Sequence, residues 1–212
     1  MAVFQGRWAT TDVQPGYSAI VVPEETGESA LVWALAHDLS QLVKARITGD
    51  AQAPTEAEGL RFDLTSPQSA PDTLVSARAS IDSAVSPTSL TLTSMVGEEQ
   101  VTLERIDRLE GRLEPAAANG EWRADFEALQ VNWTVSDGLI TGSSTAGCLY
   151  SGSTTSPAGT AVYRLAFDEV CGTTTRRFEG IATVDAERAR MTVLTTTPEE
   201  QAASALMFVR LP

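Results

Sequence analysis

The 212-residue, 22.5 kDa chain is long enough for one large domain or two of about 100 residues each. Its composition, 42% hydrophobic and 20% charged with no Gln/Asn-rich, collagen-like or coiled-coil bias, is that of a folded protein and not of a disordered one. A net charge of -13 and a pI near 4.4 repel a phosphate backbone, and no basic cluster larger than Arg176-Arg177 offsets that field, which argues against nucleic-acid binding.

In chain order, Met1-Ala2 leads directly into a strand-like segment with no basic n-region and no apolar h-region, so no signal peptide is expected in this sequence. Strands are expected near 5–11, 17–23, 30–37, 41–48, 59–65, 74–82, 89–96 and 100–106. The turns between them carry Pro15-Gly16, Gly27, Gly49-Asp50, Pro67, Pro87 and Gly97. The longest apolar run, Ala30 to Ala36, has seven residues, against the roughly 20 that a membrane-spanning helix requires.

Residues 109–120 (LEGRLEPAAANG) have the composition of a linker or one short helical turn. Eight further strands are expected near 121–126, 129–136, 139–145, 147–154, 160–168, 176–184, 189–196 and 204–211. Tyr163, Leu165 and Phe167 alternate with other residues and share one face of a sheet. Asp137-Gly138, between two alternating runs, predicts a tight type I′ hairpin. Gly6-Arg7-Trp8 opens the first set and Gly120-Glu121-Trp122 the second, 114 residues later. The expected architecture is therefore all-β: two tandem small antiparallel barrels or sandwiches, residues 1–108 and 121–212, joined by 109–120.

Cys148 and Cys171 are the only cysteines, with 22 residues between them. A structural disulfide, buried free thiols and a redox or catalytic role are all open on spacing alone. A bridge would contribute about 3 kcal/mol on the chain-entropy model and would place the protein outside the cytosol.

The second half resembles a group of bacterial envelope lipoproteins built of two small β domains. The resemblance runs through Gly120-x-Trp122, the stretch Leu139 to Gly152 (LITGSSTAGCLYSG), Pro157, Val162 to Phe167, Cys171 and Gly180-Ile181-Ala182. It implies that Cys148 pairs with Cys171. It also implies an exported, periplasmic or outer-membrane-anchored protein, held in its native form by a lipid on a cysteine outside this sequence. The first half matches more loosely, through Gly6-x-Trp8 and the Tyr17 strand. Gly-x-Trp on a first strand is also similar to the opening of lipocalins, in which the Trp closes one end of an eight-stranded barrel.

Catalytic chemistry finds little material. His37, followed by Asp38, is the only histidine, there is no Gly-x-Ser-x-Gly elbow, and His37 reads as a strand-end surface residue. One His and two separated Cys make a metal site unexpected, and no cofactor is expected. The acidic pairs Glu24-Glu25, Glu98-Glu99 and Glu199-Glu200 fall in turns, where solvated charge is ordinary. The expected function is a non-enzymatic envelope module that binds a protein or a surface polymer. One alternative is a lipocalin-like carrier of a small apolar ligand, with Trp33, Trp133 and Tyr150 as candidate cavity residues. An eight-stranded half of about 100 residues is barely wider than its own side chains, which weighs against that carrier. Two others are an inhibitor or immunity protein that caps a basic enzyme, and a hydrolase in which His37 faces a Ser or Thr and an acid.

Overall fold

A computed structural model describes residues 2–10, 16–24, 27–49, 55–66, 69–85, 87–94, 100–126 and 128–212, with backbone only at 73–76 and 94. The chain divides into two compact units, Met1–Glu110 and Gly111–Pro212. In the first, β1 (Gly6–Thr10), β2 (Tyr17–Pro23), β3 (Ser29–Ala36), β4 (Gln41–Thr48), β5 (Thr55–Asp63), β6 (Asp72–Asp82), β7 (Ser89–Ser94) and β8 (Gln100–Asp107) pair in sequence order. Strand β8 returns to β1, so the sheet closes into an antiparallel barrel. In the second unit, β9 (Gly120–Phe126), β10 (Leu129–Ser136), β11 (Leu139–Ser144), β12 (Cys148–Thr155), β13 (Tyr163–Cys171), β14 (Thr174–Val184), β15 (Arg190–Thr196) and β16 (Ala203–Arg210) do the same, with β16 closing on β9. The fold is thus all-β, two tandem eight-stranded barrels, as the strand spacing predicts. The closing ladders are short, Arg7 to Thr10 against β8 in the first barrel and Val209 and Arg210 against Arg123 and Trp122 in the second.

The local reasons are those of short-range chemistry. Asp137 and Gly138 both have positive φ, 49° and 80°, which is the type I′ geometry that twists in the sense of the flanking strands. The turns expected at Pro15, Asp50, Pro67 and Gly97 lie outside the described residues, as do Glu25, Glu98 and Glu99. Strands β13 and β14 run further than alternation predicts: their ladder continues to Cys171 opposite Thr174, across a turn with Gly172 at φ 60°. The extension is invisible to hydropathy because its inward positions are Glu169, Cys171, Thr174 and Arg176.

One end of each barrel is plugged in the same way. A 3-10 turn, Ala2–Phe4 in the first barrel and Pro115–Ala118 in the second, precedes the Gly-x-Trp strand. The Trp8 indole donates to Phe4 O at 3.0 Å and the Trp122 indole to Ala118 O at 2.8 Å. Arg105 of β8 lies 4.4 Å over the Trp8 ring and bonds Val3 O; Arg210 of β16 lies 4.6 Å over Trp122 and bonds Ala117 O at 2.7 Å. Gly6 and Gly120 have φ of 153° and 142°, and a Cβ on Gly6 would lie 2.5 Å from Asp107 O. The plug therefore asks for glycine two residues before the Trp.

The segment 109–120, read from composition as a linker, largely belongs to the second plug. Ala117 and Ala118 are buried, the Tyr163 hydroxyl donates to Glu114 O at 2.6 Å, and Arg112 Nε donates to Ser156 O at 3.0 Å. Small apolar residues suit a lid over Trp122 as well as they suit a linker, so composition alone does not separate the two roles.

Candidate ligand-binding site

The two interiors are lined in opposite ways. Pleating alternates each strand between inside and outside, and in the first barrel the inward positions are mostly small: Ala19 and Val21 on β2, Ala30, Val32 and Ala34 on β3, Ala57 on β5 and Ala79 on β6. Phe4, Trp8, Ile47, Leu90 and Leu103 complete the buried floor. Nearer the end opposite the plug, Tyr17, Val43, Ala45, Ala77, Leu92 and Val101 pack on the same core yet stay partly open to solvent. An eight-stranded barrel is either just filled by its own side chains or holds one small ligand. Alanine at so many inward positions leaves the described walls of this interior lined by small side chains.

Strand direction puts Tyr17, Gln41 and Arg61 at the end of the first barrel away from the plug. The Tyr17 hydroxyl donates to Gln41 Oε1 at 2.9 Å, and Arg61 Nη2 donates to Asp72 Oδ2 at 2.7 Å. Burial pushes the Tyr17 phenol above its ordinary value, an effect the positive charge of Arg61 partly opposes. Among the described residues, these polar side chains are thus paired with one another, next to walls of small apolar residues.

The second barrel is filled. Trp133 meets Phe208 at 4.7 Å, Phe167 at 4.9 Å and Tyr150 at 6.0 Å between ring centroids, and Phe167 stacks on Phe178 at 5.3 Å. Tyr163, Met191 and Leu206 belong to the same core. Above the rings, at the end away from the plug, Cys148 and Cys171 stand directly opposite one another and form a disulfide with Cα atoms 4.2 Å apart. Beside it the Tyr150 hydroxyl donates to Glu169 Oε1 at 3.0 Å, and burial pushes its pKa up to about 12. A small cavity of about 200 Å³ is lined there by Glu169, Cys171, Thr174 and Arg176.

The structure separates the aromatic candidates. Trp133 and Tyr150 lie inside the second barrel, packed among rings. Trp33 points away from the first interior, since its neighbours Val32 and Ala34 face inward; it is buried on the outer side with Lys44 Nζ 5.1 Å from its ring. His37 Nε2 lies 3.1 Å from Ser18 Oγ, both exposed. Asp38, the acid a triad would need, instead accepts from Ser40 N at 3.0 Å and Ser40 Oγ at 2.6 Å. Glu24 pairs with Arg46 at 2.9 Å, and Glu200 sits in a turn with φ 56°. The small residues of the first interior are the feature missed from sequence; alternating alanine in β3 was the available signal, obscured by the large outward residues between.

Comparison with known proteins finds no family model, no curated protein and no solved structure that matches the chain.

Proposed function

We propose that the protein is an exported binding protein whose first barrel carries one small, uncharged apolar molecule. The observation that carries this reading is the contrast between the interiors: alanines and solvent-reached aliphatic side chains in the first, close-packed rings in the second. Polar groups confined to a rim over apolar walls match the general character of small-molecule sites. An uncharged ligand is preferred because residues 1–110 hold seven basic against sixteen acidic side chains, and the rim cation Arg61 is already paired with Asp72. Apolar carriage is favoured over docking of a protein or surface polymer because the first interior, walled by small side chains, is the chamber such a ligand would occupy. The Cys148–Cys171 bridge is compatible with export.

The test is titration with a neutral naphthylamine probe that brightens in apolar surroundings. Saturation at one probe per chain is expected, with binding lost in Ala45→Phe, which places a ring in the chamber, and retained in Tyr150→Phe. Near-UV circular dichroism checks that the Ala45→Phe barrel keeps its fold, and Ala77→Leu serves as a milder filling variant. Absence of saturable binding, or binding indifferent to both filled variants, overturns the proposal.

A further inference from the structure

The mouth of the second barrel brings together three potential ligand atoms. Cys148 on β12 is directly opposite Cys171 on β13, and Glu169 shares the inward face of Cys171 two residues earlier. The two sulfurs and a Glu169 carboxylate oxygen all lie within 4.8 Å of one another. We propose that reduction of the Cys148–Cys171 bridge converts this mouth into a three-ligand site for a thiophilic divalent cation, Zn²⁺ or Cd²⁺, held by both cysteine sulfurs and Glu169.

Geometry, charge and access each support the site. Tetrahedral bonds of about 2.3 Å to sulfur and about 2.1 Å to oxygen set ligand atoms roughly 3.5–4 Å apart, within reach of the spacing already present. Two thiolates and a carboxylate carry three negative charges. A divalent ion together with the guanidinium of Arg176, directly opposite Glu169 across the β13–β14 ladder, neutralises them. The cavity lined by Glu169, Cys171, Thr174 and Arg176 admits a reductant and leaves the fourth coordination position to water. The Tyr150 hydroxyl, donating to Oε1 of Glu169, orients the carboxylate and leaves Oε2 for the metal.

The redox step balances with a dithiol as reductant. The dithiol gives up two electrons and two protons and becomes a cyclic disulfide, while the protein S–S bond breaks and yields two thiols. Each thiol then releases its proton to solvent as its sulfur takes the metal. Bridge and metal are alternative states of the same atoms, so the site is closed under oxidising conditions and opened by reduction. The proposal does not depend on the chamber of the first barrel.

The experiment is an anaerobic Cd²⁺ titration of the full chain, oxidised and phosphine-reduced, following thiolate-to-metal charge-transfer absorption. The reduced chain should saturate at one equivalent and the oxidised chain should show no band. Glu169→Gln should keep the band but bind at least tenfold more weakly. Near-UV circular dichroism of the Trp133 cluster is recorded at each stage, and a signal lost on reduction but restored by the metal also supports the site. No saturable band in the reduced chain, wild-type affinity in Glu169→Gln, or a cluster lost on reduction and not restored overturns the proposal.

Discussion

Each of the three tyrosines commits its hydroxyl to one acceptor, Tyr17 to Gln41, Tyr150 to Glu169 and Tyr163 to Glu114 O, with Tyr150 and Tyr163 buried and Tyr17 partly so. Burial is the leading cause that raises all three phenols above the ordinary value of 10.0, furthest for Tyr150, at about 12. Above pH 10 the unfolded chain loses phenolic protons that the folded chain keeps. Stability attributable to these groups is therefore complete below about pH 10 and falls as pH rises through the folded values. Alkaline spectrophotometric titration should show tyrosinate appearing late in the native protein and at the ordinary value in denaturant. Tyr150→Phe should flatten the fall of stability between pH 10 and 12; a native titration at the ordinary value would contradict this. At this scale the sequence shows the Gly-x-Trp pairs but not their partners, because Arg105 and Arg210 lie a whole barrel further along the chain and meet Trp8 and Trp122 only when the sheet closes.

Strands are the elements most visible in sequence, because period-two alternation and Asp-Gly or Gly-containing turns act over a few residues. Where inward residues turn polar, as at Glu169 and Arg176, the alternation stops although the ladder continues. Strand glycines mark a second constraint. A Cβ on Gly152 would lie 2.3 Å from Ala166 O and 2.5 Å from Phe167 Cβ, so β12 approaches β13 more closely there than any side chain permits. Gly152→Ala should destabilise the second barrel by about 1–3 kcal/mol, the usual range for overpacking. Ser153→Ala, on the exposed face, should stay near neutral. Urea unfolding followed by tryptophan fluorescence decides the matter; equal midpoints for the two variants would show that β12 moves aside without cost.

For the whole molecule, the excess of 28 acidic over 15 basic residues acts against compactness at low salt. Raising ionic strength from about 0.01 to about 0.15 M shortens the screening length from about 30 to about 8 Å. The first thermal transition should rise by about 4–8 °C, the shift that about 1 kcal/mol produces in a domain of about 100 residues. A fall measured by scanning calorimetry would mean that surface pairs such as Arg46–Glu24 and Arg177–Glu179 outweigh the repulsion. Class, strand number and the repeated Gly-x-Trp opening were determined by the sequence itself, since each depends on contacts within one strand or one turn. Only the closed barrels decided that Trp33 faces out and Trp133 in, that small side chains line one interior and aromatic rings the other, and that Glu169 meets the two cysteines. Those outcomes depend on which residues a closed sheet turns toward a shared axis, and on the volume their side chains sum to there, quantities that no local window of sequence contains.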